Sequence, residues 1–316
     1  MASNFLTVGR AYMAENFYVS AMPPADRMTV GKAYARYPDG SGINTAVALA
    51  KLGVKSCVLA KVGNDIFADN LEQRLEEYGV YSPLLLKATK SQTGVCATIL
   101  ENLGVSRKIV MEGANRTLDD NDIDHAYEVT KPNYIILNAD IPSESVKYAI
   151  SLADDIGAKV MLSLCGEFSL GVYLEELCSV EILVIDSLNA KRRTDITPGD
   201  VPTNLKLCSI LSEMINAKYY VLRCPDGSCF VYNGKYYYVV PTYDIETLDA
   251  TASIESFNAS LLLKYLSTKD IKAACEFAVL CEVITCQKLG GPGSLPTFKQ
   301  IKDFISENQL DERLIK

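Results

Sequence analysis

The run Asp249-Ala250-Thr251-Ala252-Ser253-Ile254-Glu255 leads straight into the apolar stretch "SIESFNASLLLKYLST". It has the outline of a phosphate-binding turn that opens a helix. The first amides of a helix have no carbonyl partner and carry the positive end of its dipole, so they attract anions. An acid one step into the helix, Glu255, stands where a carboxylate could take a proton from a hydroxyl attacking a phosphoryl group. Phosphoryl transfer is therefore the chemistry this run could do. A plain helix start, with an acid in its first turn worth roughly 0.3–1 kcal/mol, fits the same residues. The one histidine, His125, falls in the polar run "DDNDIDHAYEV". Mechanisms that need an imidazole base are set aside in favour of carboxylates, hydroxyls, amines and thiols.

A second candidate is "DGSGINTA", Asp39 to Ala46. A dinucleotide fingerprint needs a third small residue after a buried strand. Thr45 takes that place, and "ARYPD" before it is not a buried strand. A tight turn into a helix is the simplest reading of Gly40 and Gly42. Another is a grip on a small polar ligand, with backbone N–H groups at Gly40 and Gly42 and the amide of Asn44 offered to a hydroxyl.

The elements that must hold these residues alternate. "NFLTVG", "KSCVLAKVG", "NYIILNA", "AKVMLSL", "EILVIDS" and "KYYVLRC" read as strands. "SGINTAVALAKLG", "DIFADNLEQRLEEYGV", "PSESVKYAISLADDIG", "SIESFNASLLLKYLST" and "DIKAACEFAVLCEVITCQ" read as helices. Such alternation implies a mostly parallel sheet covered on both faces. "FYVSAMP", "GKAYARYPDG" and the hairpin "TGVCATILENLGVSRKIVM", with its turn at Asn102-Leu103-Gly104, do not fit that sheet. They are read as a separate small β-element.

Hydrophobic residues make up 48% and charged residues 22% of 316, enough for a full core in one domain spanning 1–316. A net charge of -8 argues against a nucleic-acid or anionic-lipid partner. No apolar run approaches a membrane span, and the first residues lack a signal-peptide pattern. Ten cysteines, most within apolar stretches, read as buried thiols in a reducing, cytoplasmic setting, with no metal site.

"DGSGINTAVALAKLG" followed by "KVGNDIFADNLEQRLEEYGV" resembles the first signature of the ribokinase, or PfkB, family of carbohydrate kinases. "TGVCATI", Gly113–Asn115, "VIDSLN", "DGSCFVYNGKYYYVVP" and "GGPGSLPT" follow in family order over nearly the whole chain. The resemblance implies a ribokinase-like α/β/α sandwich. A small β-sheet lid, built from roughly residues 10–38 and 91–112, would close over the sugar and often form a homodimer contact. It also implies ATP and Mg²⁺ as cofactors and a hydroxymethyl group of a sugar or nucleoside as acceptor.

The family's second signature, Asp-Thr-Thr-Gly-Ala-Gly-Asp, falls on Asp249–Glu255. It makes Asp249, Ala252, Ser253, Ile254 and Glu255 the catalytic candidates, with Glu255 as base. A branched side chain at Ile254, in the place of the second glycine, would resist positive φ. Gly40, Gly42, Asn44 and Ala14 fall at sugar-binding positions, Ala14 where the family carries an Asp. Asn189, Arg192, Arg223 and Gly227 fall at nucleotide positions, Arg192 where the family carries a Glu. Scaffold blocks kept beside changed chemical positions leave two readings open: a divergent sugar kinase, and a catalytically silent binding or scaffold protein on the same fold.

Overall fold

Segments such as Tyr134–Asn138 and Val180–Asp186 are apolar at nearly every position, which suits strands buried on both faces. A computed structural model of the chain describes residues 5–101 and 106–315 and places these segments at the centre of an α/β/α sandwich. The expected turn at 102–104 lies outside the described residues.

In chain order, β1 (Phe5–Val8), β2 (Tyr12–Tyr18) and β3 (Ala33–Asp39) precede α1 (Ser41–Lys51), β4 (Ser56–Gly63), α2 (Ile66–Glu77) and β5 (Leu85–Ala88). β6 (Gly94–Leu100) and β7 (Ser106–Met111) lead to α3 (Asp120–Thr130), β8 (Tyr134–Asn138), α4 (Ser143–Asp155) and β9 (Lys159–Leu164). Next come β10 (Val180–Asp186), α5 (Ser187–Thr194), α6 (Val201–Met214), β11 (Ala217–Arg223), β12 (Cys229–Tyr232) and β13 (Tyr237–Val240). The chain closes with α7 (Ser253–Thr268), α8 (Ile271–Cys286), the short α9 (Gly291–Ser294) and α10 (Phe298–Glu307).

Among the described residues the large sheet has nine strands in the order β13-β12-β11-β10-β9-β8-β1-β4-β5. All its pairings are parallel except those of β11 with β12 and β12 with β13. Alternate residues feed two cores. Phe5, Ile136, Met161 and Ile182 pack with α1, α2, α7 and α8, while Leu6, Ile135, Leu162 and Leu183 pack with α3, α4 and α6.

The segments that did not fit this sheet form a second sheet, ordered β3-β2-β6-β7. Here β2 pairs antiparallel with β3 and parallel with β6, and β6 pairs antiparallel with β7. Asn115 fixes the start of β2, accepting from Ala11 N at 2.9 Å and donating to Ala11 O at 2.9 Å. This contact explains the "GAN" block in structural terms.

Candidate functional site

The strand order reverses between β1 and β8, and a crevice opens there at the C-terminal ends of the parallel strands, the usual ligand position in such sheets. A cavity of about 570 Å³ fills it. The small sheet contributes Tyr12, Cys96 and Lys108. The ends of β8 and β9 contribute Asn138, Asp140, Ser163 and Cys165, and the loop after β9 adds Glu167 and Phe168. Gly40, Asn44, Ala252, Ile254 and Glu255 also face it.

The turn into α7 forms without glycine. Ala252 is its N-cap at φ 65° and ψ 7°, in the left-handed region. That conformation costs an L-residue roughly 1–2 kcal/mol, and a buried methyl is the smallest side chain that can bear it. This corrects the expectation placed on Ile254. Ile254 lies within the first turn of α7 and outside the left-handed region, so its branching is no obstacle. Thr251 N donates to Asp249 Oδ1 at 2.9 Å and Ser253 N to Ala250 O at 3.2 Å. Among the described residues the amides of Ala252 and Ile254 have no acceptor, and both residues border the cavity.

Asp249 acts as a brace. Its Oδ1 accepts from Thr251 N and Oγ1, and its Oδ2 accepts from Gly290 N at 3.0 Å. Gly290 and Gly291 lie against the Tyr37 ring of β3. A Cβ at Gly291 would sit 2.7 Å from a ring carbon, so only glycine fits. Lys51 Nζ secures the same loop by donating to Pro292 O at 2.7 Å and Leu295 O at 2.8 Å.

Glu255 is partly buried. Burial, then the charge of Asp39 and further that of Asp140, pushes its carboxyl up to about 8. Asp140 is raised to about 6, chiefly by burial, with the Arg10 guanidinium opposing the rise. Arg10 itself donates to the Asp140 carbonyl, pairs with Glu112 and lies 3.5 Å from the centre of the Phe168 ring. Asp39 is buried, and its carboxyl is raised by desolvation against the pull of Gly40 N–H and the Asn44 amide.

Of the other sequence candidates, Ser253 is buried behind the turn. Gly42 packs on Gly9, where a Cβ would meet backbone at 2.9 Å, and its N–H donates to Arg10 O at 3.0 Å. Ala14 is buried in the small sheet between Tyr37 and Cys96, and its neighbour Glu15 pairs with Arg36.

The nucleotide candidates lie off the cavity. Asn189 is fully buried, donating to Gly166 O at 2.9 Å and Asp186 Oδ1 at 3.0 Å, and accepting from Arg193 at 3.0 Å. Arg192 is exposed. Arg223 is buried against Glu282 of α8, with its guanidinium carbon 4.1 Å from the centre of the Phe257 ring. Gly227 sits in the turn between β11 and β12.

Asp39, Asp140, Tyr12 and Lys108 were absent from the sequence candidates. Asp140 did carry a signal, because it follows the apolar strand β8, and acids just past such strand ends face the crevice.

A sequence model described as "pfkB family carbohydrate kinase" matches residues 3–297. A deoxyribokinase of Salmonella typhi is 27% identical over 296 residues, covering 92% of this chain and 95% of that protein. The structure of ribokinase from Giardia lamblia superposes with a TM-score of 0.86 at 17% identity, covering 98% of this chain and all of that one. The Arabidopsis thaliana ribokinase complexed with ribose and ATP superposes with a TM-score of 0.84 at 17% identity, covering 96% and 99% of the two chains.

Proposed function

The chain belongs to the pfkB family of carbohydrate kinases, and on that premise we propose that it transfers the γ-phosphoryl group of ATP to a hydroxymethyl group of a sugar or related small molecule. One observation carries the reading. The free amides of Ala252 and Ile254 at the α7 N-terminus and the carboxylate of Glu255 border the same cavity.

In this reading the acceptor lies between the small sheet and the ends of β8 and β9, contacting Gly40 and Asn44. Glu255 takes the proton from its hydroxyl as the oxygen attacks phosphorus. Negative charge on the transferring group is met by the amides and dipole of α7. Asp249 and Ser253 hold the turn rather than touching the substrate. Closure of the small sheet excludes water.

Mg²⁺ travels with ATP in such reactions. Among the described residues no group of three or more His, Cys, Asp or Glu is placed to hold a metal ion. No step is therefore routed through a protein-held metal. The protein works as a cytoplasmic homodimer through the small sheet. No described helix is long and apolar enough to cross a membrane.

The test is turnover of Mg-ATP with a panel of sugars and nucleosides. Glu255→Gln is expected to lower kcat by about 10²–10⁴-fold, the range for a lost general base. Absence of turnover throughout the panel would sink the reading.

The second reading, a silent binding or scaffold protein, is favoured by Arg223. Its pair with Glu282 occupies the segment where nucleotide contacts were expected. A thermal shift with ATP separates the two, since a ligand bound to the native state raises the melting temperature. No shift at millimolar Mg-ATP favours the silent protein.

A further inference from the structure

The charged side chains around the cavity are mostly acidic. Asp39, Asp140, Glu167 and Glu255 border it, and among the described residues Lys108 is the only side-chain cation that does. The Asp39–Asn44 corner is the most constrained part. Asp39 is 8% exposed and Asn44 is 2% exposed. Asp39 Oδ1 accepts from Gly40 N at 2.8 Å and from Asn44 Nδ2 at 2.6 Å. A carboxylate oxygen cannot donate, so this contact fixes which end of the Asn44 amide is nitrogen. Asn44 Oδ1 is then an acceptor, and it is buried with no donor. Asp140 Oδ1 is likewise buried without a partner. A buried acceptor without a donor is costly, and such groups are normally satisfied by protein, water or ligand.

A neutral sugar answers this corner poorly. A hydroxyl has one hydrogen, so it can donate to Asp39 or to Asn44 Oδ1 but not to both, and a lone pair is left facing the other. A primary ammonium brings three donors, no lone pair and a positive charge. We infer that the acceptor of this enzyme is an aminated sugar or polyol whose ammonium group docks against Asp39 with Asn44 Oδ1 beside it, leaving Asp140 for hydroxyls. The same acidity disfavours acceptors that already carry a phosphate. The inference rests on the kinase reading only for the direction of the reacting hydroxyl, toward Glu255. The ammonium would also draw Glu255 back toward its ionised form, since the neighbouring charge of Asp39 helps hold its proton on.

The test is calorimetric titration, without nucleotide or metal, of 2-amino-2-deoxy pentoses and hexoses against their parent sugars, with the N-acetyl derivatives as uncharged controls. At least one aminated member is expected to bind about tenfold or more tightly than its parent, a difference that one well-placed charge supplies. Acetylation should remove the advantage. Asp39→Asn, which keeps the shape and the bond to Gly40, should bring the ratio near one. Equal binding of amine and parent, an advantage that survives Asp39→Asn, or no binding by any member would each overturn the inference. Addition of Mg-ATP then separates it from the kinase reading. Selective amine binding without ADP release defeats the kinase alone, and ADP release from neutral sugars without amine preference defeats the inference alone.

Discussion

In the proposed kinase Glu255 is the base, and its surroundings set the pH at which it would act. With its carboxyl at about 8, it is mostly protonated at neutral pH and must lose that proton to serve as base. The rate at limiting substrate should therefore rise with pH and level off above about 8, a limb that Glu255→Gln abolishes along with most of the rate. Stability moves the other way. Between the ordinary carboxyl value near about 4.3 and about 8, the folded state keeps a proton that the unfolded chain has lost, so this residue's contribution falls as pH rises. Melting curves should show Glu255→Gln gaining on the parent from about pH 5 to pH 9. A constant difference across that range would mean that the carboxyl is not held up by its surroundings. The acid itself was legible in the sequence, because a helix start followed by an acid is a local pattern. The cap at Ala252 was not. Alanine gives no sign that it will take a left-handed conformation, and the sequence reading placed that demand two residues later, on Ile254.

At the level of elements, the buried ion pair of Arg223 with Glu282 joins β11 and α8 beside the apolar core they share. Removing one partner of such a pair strands the other charge in the interior and typically costs 3–5 kcal/mol, whereas replacing both by apolar groups is often near neutral. Arg223→Met alone is therefore expected to lower unfolding free energy by about 3 kcal/mol or more, and Arg223→Met with Glu282→Leu to recover most of it. If Arg223 instead held nucleotide, the single variant would raise the KM for ATP and leave the melting temperature in place. The sequence disclosed both elements, since "KYYVLRC" and "DIKAACEFAVLCEVITCQ" have clear patterns. Their cross-connection is a tertiary contact 59 residues apart and left no local trace. The reading also passed over α5 and α6. Asp200, whose carboxylate caps α6 at Thr203 N, and Pro202 in its first turn were available as start signals. Its weak stripe, set among polar residues, made the helix easy to miss.

For the whole molecule, the alternation of strands and helices in the sequence was enough to name the sandwich, because a parallel sheet requires covered crossovers. The parallel pairing of β2 with β6 was not legible, since strands far apart in the chain carry no mark of their partners. Beside the small sheet, the connection between β2 and β3 exposes apolar side chains. Met28 and Val30 are almost fully exposed, and Phe17, Met22 and Tyr34 line a shallow hollow beside them. This is the surface that the proposed dimer would cover. The protein should sediment as a dimer at micromolar concentration, and Phe17→Asp with Val30→Asp should give a folded monomer. A monomeric parent would remove the dimer proposal.

The glycine contact at position 291 joins the two halves of the cavity in one linkage. Tyr37 belongs to the small sheet and presses on Gly290–Gly291, and the Gly290 amide braces Asp249, which shapes the turn ahead of α7. In the proposed kinase, lifting the small sheet to admit a sugar would take away the stop behind that brace. In that reading an open entrance and a readied phosphoryl cradle would be competing states, and water, which cannot hold the entrance shut, would meet the cradle only when it is slack. Hydrolysis of ATP by water would then be held down by this linkage as well as by shape.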